Sequence, residues 1–272
     1  MKKVVQLFTP GLDSYLANFF LTKQVEKGEI ELHRLYFDLK SRYSKNEIEF
    51  LTSFYSPDFF KILDTLNIEK IESEDAHVPN RNLLMVTMAA ANFPDVDTIY
   101  INGMKDDRVS DNKKEFFEKV SKVLSLSMER DVTVTSLFWE KEKTQAINEF
   151  INEGGPRIDL ATKTYSCFET IAPTQNIMIF ERNHTQTHGK PMDIPNLYST
   201  LGTLNIHGCR HCAACFRRFC ALTSANIYVP FLNTDMVKDY VNGKVDEDEH
   251  PHRFISVQSY AHFVKKCDQG EI

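Results

Sequence analysis

Residues 3–20 read KVVQLFTPGLDSYLANFF. Lys3–Phe8 is an almost unbroken apolar run, which predicts a buried strand, and Leu12–Val25 repeats its apolar residues at helical spacing. Between them stands Thr9-Pro10-Gly11-Leu12-Asp13-Ser14. A helix N-terminus offers unpaired N–H groups and a partial positive charge, so a turn of this kind attracts phosphate. Gly11 lets the backbone approach an anion closely. Thr9 and Ser14 add hydroxyl donors. Asp13 is negative, which suits a residue that fixes the loop or faces a magnesium ion. The same residues also read as a plain connection in which Asp13 or Ser14 caps the helix. The pattern G-x-x-x-x-G-K-[ST] is absent, so this is not the usual P-loop.

Outward from that turn, strand-like and helix-like segments alternate. Ile30–Leu39 alternates apolar and polar residues and predicts a strand. Asn46–Leu66 has a helical pattern interrupted at Pro57, and Ile68–Ile71 predicts a short strand. Helices are expected over Asn80–Ala91, Asn112–Met128 and Glu142–Glu153, with strands at Thr98–Asn102 and Val132–Leu137. This alternation predicts an α/β fold, a parallel sheet with helices on both faces. Ligands of such sheets bind at the carboxyl ends of the strands, so Thr9–Ser14 and Asn102–Asp111 should share that edge.

The pattern changes near Ser166. The domain boundary is expected there, with an α/β domain over 1–165 and a cysteine-bearing C-terminal region over 166–272. Asn183–Pro195 reads as a loop, and Asp246–His252 reads as surface. The six cysteines are Cys167, Cys209, Cys212, Cys215, Cys220 and Cys267, none in the first 166 residues. A disulfide framework would be spread through a short secreted chain, so this clustering points to a metal site in a cytoplasmic protein. Cys209, Cys212 and Cys215 form two overlapping C-x-x-C units, whose thiolates can converge on one tetrahedral zinc. Cys167 is the candidate fourth ligand, with His207 and His211 as substitutes. A redox pair, an iron–sulfur cluster or incidental helix cysteines remain the alternatives. Cys220 and Cys267 read as free buried thiols.

Composition bounds the rest. The chain has 272 residues, 42% hydrophobic and 26% charged, which fits a globular protein with ample core. The net charge is −6, against broad nucleic-acid binding. The amino-terminal apolar run is too short for a signal peptide, and no stretch approaches the ~20 apolar residues of a membrane span.

These segments together resemble 7-cyano-7-deazaguanine synthase, a PP-loop ATP pyrophosphatase family, in order over roughly residues 3–222. That family's S-G-G-x-D-S loop stands here as Thr9–Ser14. Its V-P-x-R-N motif stands as Val78-Pro79-Asn80-Arg81-Asn82, and its strand ending in glycine as Tyr100–Gly103. Its Asp-x-Arg-x-Glu-Phe run corresponds to Asp111–Phe116, its helix-opening lysine to Lys143, and its cysteine set to Tyr165-Ser166-Cys167 followed by Cys209, Cys212, Cys215 and Arg218. Pro10 replaces a loop glycine, Arg108-Val109-Ser110 stands where the family has Gly-Tyr-Pro, Lys113 replaces an arginine, and an insertion over 168–208 separates Cys167 from Cys209.

The resemblance implies an adenine nucleotide alpha hydrolase-like fold with a zinc-bearing helical C-terminal region. It implies ATP, Mg2+ and Zn2+, and a ligase that adenylates 7-carboxy-7-deazaguanine and uses ammonia to make 7-cyano-7-deazaguanine in queuosine-type biosynthesis. Thr9, Gly11, Leu12, Asp13, Ser14, Arg81, Asn82 and Gly103 would bind the nucleotide. Asp13, Ser14, Lys143 and Asp111 would act in the chemistry, with Asp111 toward the purine-like substrate. Tyr36 and Phe37 either flank adenine or pack in the core. The zinc would hold four thiolates and leave no open position. Family members resembling this chain are commonly homodimers, and no stable nucleic-acid or membrane partner is implied. The alternatives are an enzyme that stops at the amide or uses another amine, a tRNA-modifying PP-loop enzyme, and a binding protein without turnover.

Overall fold

The computed structural model describes residues 1–64, 67–69, 72, 78–105, 107, 110–169, 174–182, 198–225, 227–229 and 231–242. The chain divides into two units, one of 1–155 with 163–170, the other of 156–162 with 171–272.

The first unit carries β1 (Lys2–Leu7), α1 (Leu12–Glu26), β2 (Ile30–Phe37), α2 (Ser44–Phe54), β3 (Lys61–Leu63), α3 (Arg81–Asn92), β4 (Thr98–Tyr100), α4 (Lys114–Met128), β5 (Thr133–Thr135) and α5 (Lys143–Asn152). The strands form one sheet in the order β3-β2-β1-β4-β5, every pair parallel. Side chains alternate across a strand, and β1 uses both faces. Val5 and Leu7 join Val86 and Ala89 of α3 and Phe117 and Val120 of α4 in one core cluster. On the other face Val4 packs with Leu21 of α1, and Phe8 packs with Tyr36 and Leu51 of α2. Both faces are therefore covered, as a parallel sheet requires. The chain runs β1 to β2 to β3 in one direction and then crosses back to β4. The carboxyl ends of β1 and β4 thus flank the switch point where such sheets bind ligands.

Several boundaries differ from the sequence expectation. The third strand is Lys61–Leu63, paired with β2; of the strand expected at Ile68–Ile71, Ile68 and Glu69 are in no strand, and residues 70–71 lie outside the described residues. Ile68 instead donates its N–H to the Leu39 carbonyl at 2.9 Å, just beyond the sheet edge. The helix expected to resume after Pro57 is replaced by that strand. Its three residues are too few to show a period against the apolar residues around them.

The second unit holds α6 (Arg157–Thr162), β6 (Thr174–Arg182), β7 (Tyr198–His207), α7 (Ala213–Ser224), β8 (Ile227–Tyr228) and α8 (Thr234–Val241). Its strands form an antiparallel sheet in the order β7-β6-β8. The insertion thus contributes long paired strands that the sequence reading did not expect. Phe231 meets the rings of Phe216 and Phe219 at 5.3 Å each, which packs α7 against the segment after β8. Residues 183–197, Asp246–His252 and Cys267 lie outside the described residues. Among the described residues no helix is long and apolar enough to cross a membrane.

Candidate functional site

The loop after β1 is stitched from within. Thr9 donates its N–H to Ser14 Oγ at 2.9 Å, and Gly11 donates to Thr9 Oγ1 at 3.4 Å. Ser14 is buried, so its hydroxyl holds the loop shut rather than standing open. Gly11 is the N-cap of α1 with φ −62° and ψ 154°, ordinary extended backbone, and no side chain caps the helix. The capping role considered for Asp13 and Ser14 is therefore not realised. The first-turn N–H groups keep the anion-attracting character of an uncapped N-terminus. Pro10 brings no N–H, but its carbonyl accepts from Tyr165 N–H at 2.8 Å.

Asp13 and Lys143 come together at this helix end. Lys143 opens α5, and its Nζ lies 2.9 Å from Asp13 Oδ1, both side chains about one-fifth exposed (19% and 21%). Glu142 caps α5 through a capping box with Gln145, so Lys143 stands at the first position of the helix. The cap fixes the backbone from which Lys143 reaches.

The carboxyl end of β4 is joined to this loop by amides. Gln6 is fully buried and donates from Nε2 to the Ser14 carbonyl at 2.9 Å and to Asn102 Oδ1 at 3.5 Å. Asn102 in turn donates to the Leu7 carbonyl. Beyond it, a Cβ at Gly103 would lie 3.2 Å from the Asn112 carbonyl and 3.1 Å from the Phe117 ring. Asn82 is buried, and its amide donates to Asn112 Oδ1 at 3.0 Å and to the Asp111 carbonyl at 3.3 Å. Asn82, Gly103 and Asp111 therefore share one cluster, with Asn112 at its centre. Asp107 completes it, accepting from Met104 N–H at 2.9 Å and from Asn112 at 3.1 Å. Asn80, in the left-handed region at φ 62°, is the N-cap of α3, not Asn82. Asp111 sits in a 3-10 turn over Ser110–Asn112 and Lys113 caps α4, so Asp111 is no helix cap. Arg81 is the first residue of α3.

Tyr36 and Phe37 are both buried, Phe37 within the main core cluster. Tyr36 donates its hydroxyl to Glu47 Oε2 at 2.8 Å. Burial pushes the Glu47 carboxyl up to about 7, against the opposing pull of the Tyr36 hydrogen bond and of Arg81. The segment 163–169 passes along this end of the first unit. Arg42 donates to the Phe168 carbonyl at 3.3 Å and Asn46 to the Glu169 carbonyl at 2.9 Å. Tyr43 and Phe168 rings lie 5.2 Å apart.

In the second unit, Cys209, Cys212 and Cys215 bring their sulfurs within 4.8 Å of one another. The Cys209 and Cys215 sulfurs are 3.8 Å apart. Cys212 N–H points at the Cys209 sulfur at 3.4 Å, and Cys215 N–H at the Cys212 sulfur at 3.5 Å. Gly208 at φ 124° and Arg210 at φ 59° turn the chain tightly before α7 starts. N–H groups aimed at sulfur favour thiolates, so this donor set fits a soft, tetrahedral cation such as zinc. His211 turns Nδ1 to the Cys209 carbonyl at 3.0 Å. Arg218 is buried and donates to the Leu160 and Ala161 carbonyls at 3.4 and 2.6 Å, capping α6. Cys167 belongs to the first unit, is buried, and accepts from Glu169 N–H at 3.5 Å. Cys220 is buried.

No curated protein sequence matches the chain significantly. Among solved structures the chain is similar to the crystal structure of a predicted subunit of tRNA methyltransferase from Methanocaldococcus jannaschii. The identity is 14% and the TM-score 0.37, over 55% of this chain and 74% of that one. The family model for queuosine biosynthesis protein QueC matches residues 58–226, a span that takes in Arg81, Asn82, Gly103, Asp111, Lys143 and the four cysteines, while the loop at Thr9–Ser14 lies ahead of it. More than half of the sequence is covered, and the chain belongs to the QueC family.

Proposed function

We propose that the protein is an ATP-dependent ligase that adenylates 7-carboxy-7-deazaguanine and converts it with ammonia to 7-cyano-7-deazaguanine. The observation that carries this reading is the Lys143–Asp13 pair at the uncapped N-terminus of α1, on the switch-point edge of a parallel sheet. The substrate carboxylate attacks the α-phosphorus of ATP and pyrophosphate leaves. Ammonia replaces AMP to give an amide, and a second adenylation followed by loss of AMP gives the nitrile. The demand on the protein is electrostatic, because phosphate charge must be held while pyrophosphate departs.

In this reading Thr9, Gly11, Leu12 and Ser14 present the turn to the pyrophosphate. Arg81 and Lys143 neutralise mobile phosphate charge. Asp13 orients Lys143 and faces magnesium, which supplies further charge neutralisation when bound. Asn82, Gly103 and Asp111 form the wall toward the purine-like ring. Cys167 joins Cys209, Cys212 and Cys215 as the fourth thiolate of a structural zinc, which holds the chain around Cys167 in place. The protein acts in the cytoplasm on small molecules, and a homodimer is the expected assembly.

The test is incubation with ATP, Mg2+, ammonium and 7-carboxy-7-deazaguanine, followed by the mass of the product. The expected product is the nitrile with release of AMP and pyrophosphate. An accumulated amide, or an adduct with another amine, would replace this reading with a different nucleophile or end point.

A further inference from the structure

The first turn of α2 holds Glu47 close to the carboxyl end of β2. Its Oε2 accepts from the hydroxyl of Tyr36, whose side chain is only 2% exposed and therefore fixed in place. The residue is half-buried, with its carboxyl turned inward onto that phenol. Several charged and polar groups act on this small cluster. Tyr43 and Ser44 come from the start of α2, and Arg81 from the first position of α3. Tyr165 comes from the segment whose backbone N–H holds Pro10. Asp38 acts on Tyr36, and Glu72 on Tyr43, from further out. Glu47 thus feels the charge of Arg81, proposed to hold phosphate, and acts in turn on Tyr165, whose backbone N–H is bonded to Pro10 of the phosphate loop.

The chemistry proposed above assigns no proton acceptor to the nitrogen step, Asp111 being placed toward the purine-like ring. When ammonia adds to an acyl adenylate, its nitrogen becomes positive and must lose a proton. Arg81 and Lys143 are cations and cannot take it. Three carboxylates at the same edge are engaged: Asp13 by Lys143, Asp38 by Lys40, and Asp107 by Met104 N–H and Asn112. Glu47 is held by a neutral phenol on one oxygen, and burial brings its proton exchange toward neutral pH.

We propose that Glu47 takes up the proton released as the amine nitrogen adds to the adenylated carboxyl group. The C–N bond forms, the C–O bond to AMP breaks with its electron pair leaving on the AMP phosphate oxygen, and one N–H proton passes to the Glu47 oxygen that Tyr36 does not hold. The proton then leaves to solvent. This inference rests on the amide-forming reading given above and adds the group that completes its nitrogen step.

The experiment separates the two half-reactions in the full-length protein. Exchange of labelled pyrophosphate into ATP, dependent on 7-carboxy-7-deazaguanine, reports adenylation alone. Ammonia-dependent product mass reports the nitrogen step. Glu47→Gln keeps an acceptor for the Tyr36 hydroxyl but cannot take a proton. We expect it to retain exchange within about threefold of wild type and to lose product formation by about a hundredfold or more. Its rate should also lack the rise through neutral pH shown by wild type, and Glu47→Asp should recover part of the rate. Product formation near the wild-type level in Glu47→Gln would overturn the proposal. So would an equal loss of exchange and product, which would make Glu47 a structural residue. A wild-type protein with no exchange would overturn the adenylating reading, and this inference with it.

Discussion

Lys143 Nζ and Asp13 Oδ1 lie 2.9 Å apart, although 130 residues separate them in the chain. The pair joins the first turns of α1 and α5, and each side chain keeps about one-fifth of its surface exposed. In the proposed reading, a lysine held in this way meets phosphate charge. Lys143→Met should lower the rate of pyrophosphate release by about a hundredfold or more while the fold persists, because a charge-stabilising donor is lost. Asp13→Ala should likewise abolish measurable turnover. The readout is pyrophosphate release alongside thermal unfolding, and unchanged kinetics in Lys143→Met would remove Lys143 from the chemistry.

Pro10 stands where the resemblance leads one to expect a loop glycine, and its carbonyl is occupied by Tyr165 N–H at 2.8 Å. Pro10→Gly restores one N–H donor without touching that carbonyl. It should lower the KM for ATP severalfold. It should also cost up to about 1 kcal/mol of stability, since the unfolded chain gains freedom. Steady-state kinetics and denaturant unfolding together check both halves.

A Cβ at Gly103 would sit 3.1 Å from the Phe117 ring and 3.2 Å from Asn112, so these neighbours would have to give way by a few tenths of an ångström. Gly103→Ala should force Asn112 away from Asn82 and destabilise the protein by about 1–3 kcal/mol. If that cluster forms the substrate wall, the KM for the deazapurine should rise more than the KM for ATP. A stability loss with both constants unchanged would assign the cluster a packing role only.

The thiolate set makes a stoichiometric prediction. Purified protein should hold one zinc per chain. Cys209→Ser, Cys212→Ser, Cys215→Ser and Cys167→Ser should each lose it or bind it much more weakly. Cys220→Ser should keep the full equivalent, because that thiol lies apart from the cluster in the middle of α7. Metal content by elemental analysis decides it. Retention in Cys167→Ser would move the fourth ligand to another residue, and stripping the zinc should lower the unfolding temperature.

Glu47 gives stability a dependence on pH. Its pKa is raised from the ordinary glutamate value of 4.5 to about 7 by burial, so the folded protein binds the proton more tightly than the unfolded chain does. The stability that this proton contributes is fully present below about 4.5 and is lost as pH rises through about 7. Denaturant unfolding at several pH values should show this slope in the wild type. Glu47→Gln, neutral throughout, should flatten it.

The alternation of apolar runs and helical periods made the parallel sheet legible, because strand and helix impose different spacings on the same residues. It failed at Lys61–Leu63, where three residues carry too little pattern to outweigh the helical run before Pro57. The long strands β6 and β7 were missed for a different reason: their pairing is set by partners about two dozen residues away, not by local spacing. Cys209, Cys212 and Cys215 were readable as one donor set, since two C-x-x-C units bring thiols together within a single turn. Gln6, Asn102, Asn112 and Asp107 carried no signal, because a polar residue near a strand end looks the same whether it faces water or stitches two loops.

The sequence by itself therefore determined the α/β class, the strand–turn–helix around Thr9–Ser14 and the clustered thiols. All three are local properties, written in spacing and residue type. Tertiary structure alone decided that Lys143 reaches Asp13, that Asn82 grips Asn112, and that Tyr36 bonds Glu47. Each depends on crossovers that return distant segments to one edge of the sheet, where burial changes what a carboxyl or an amide does.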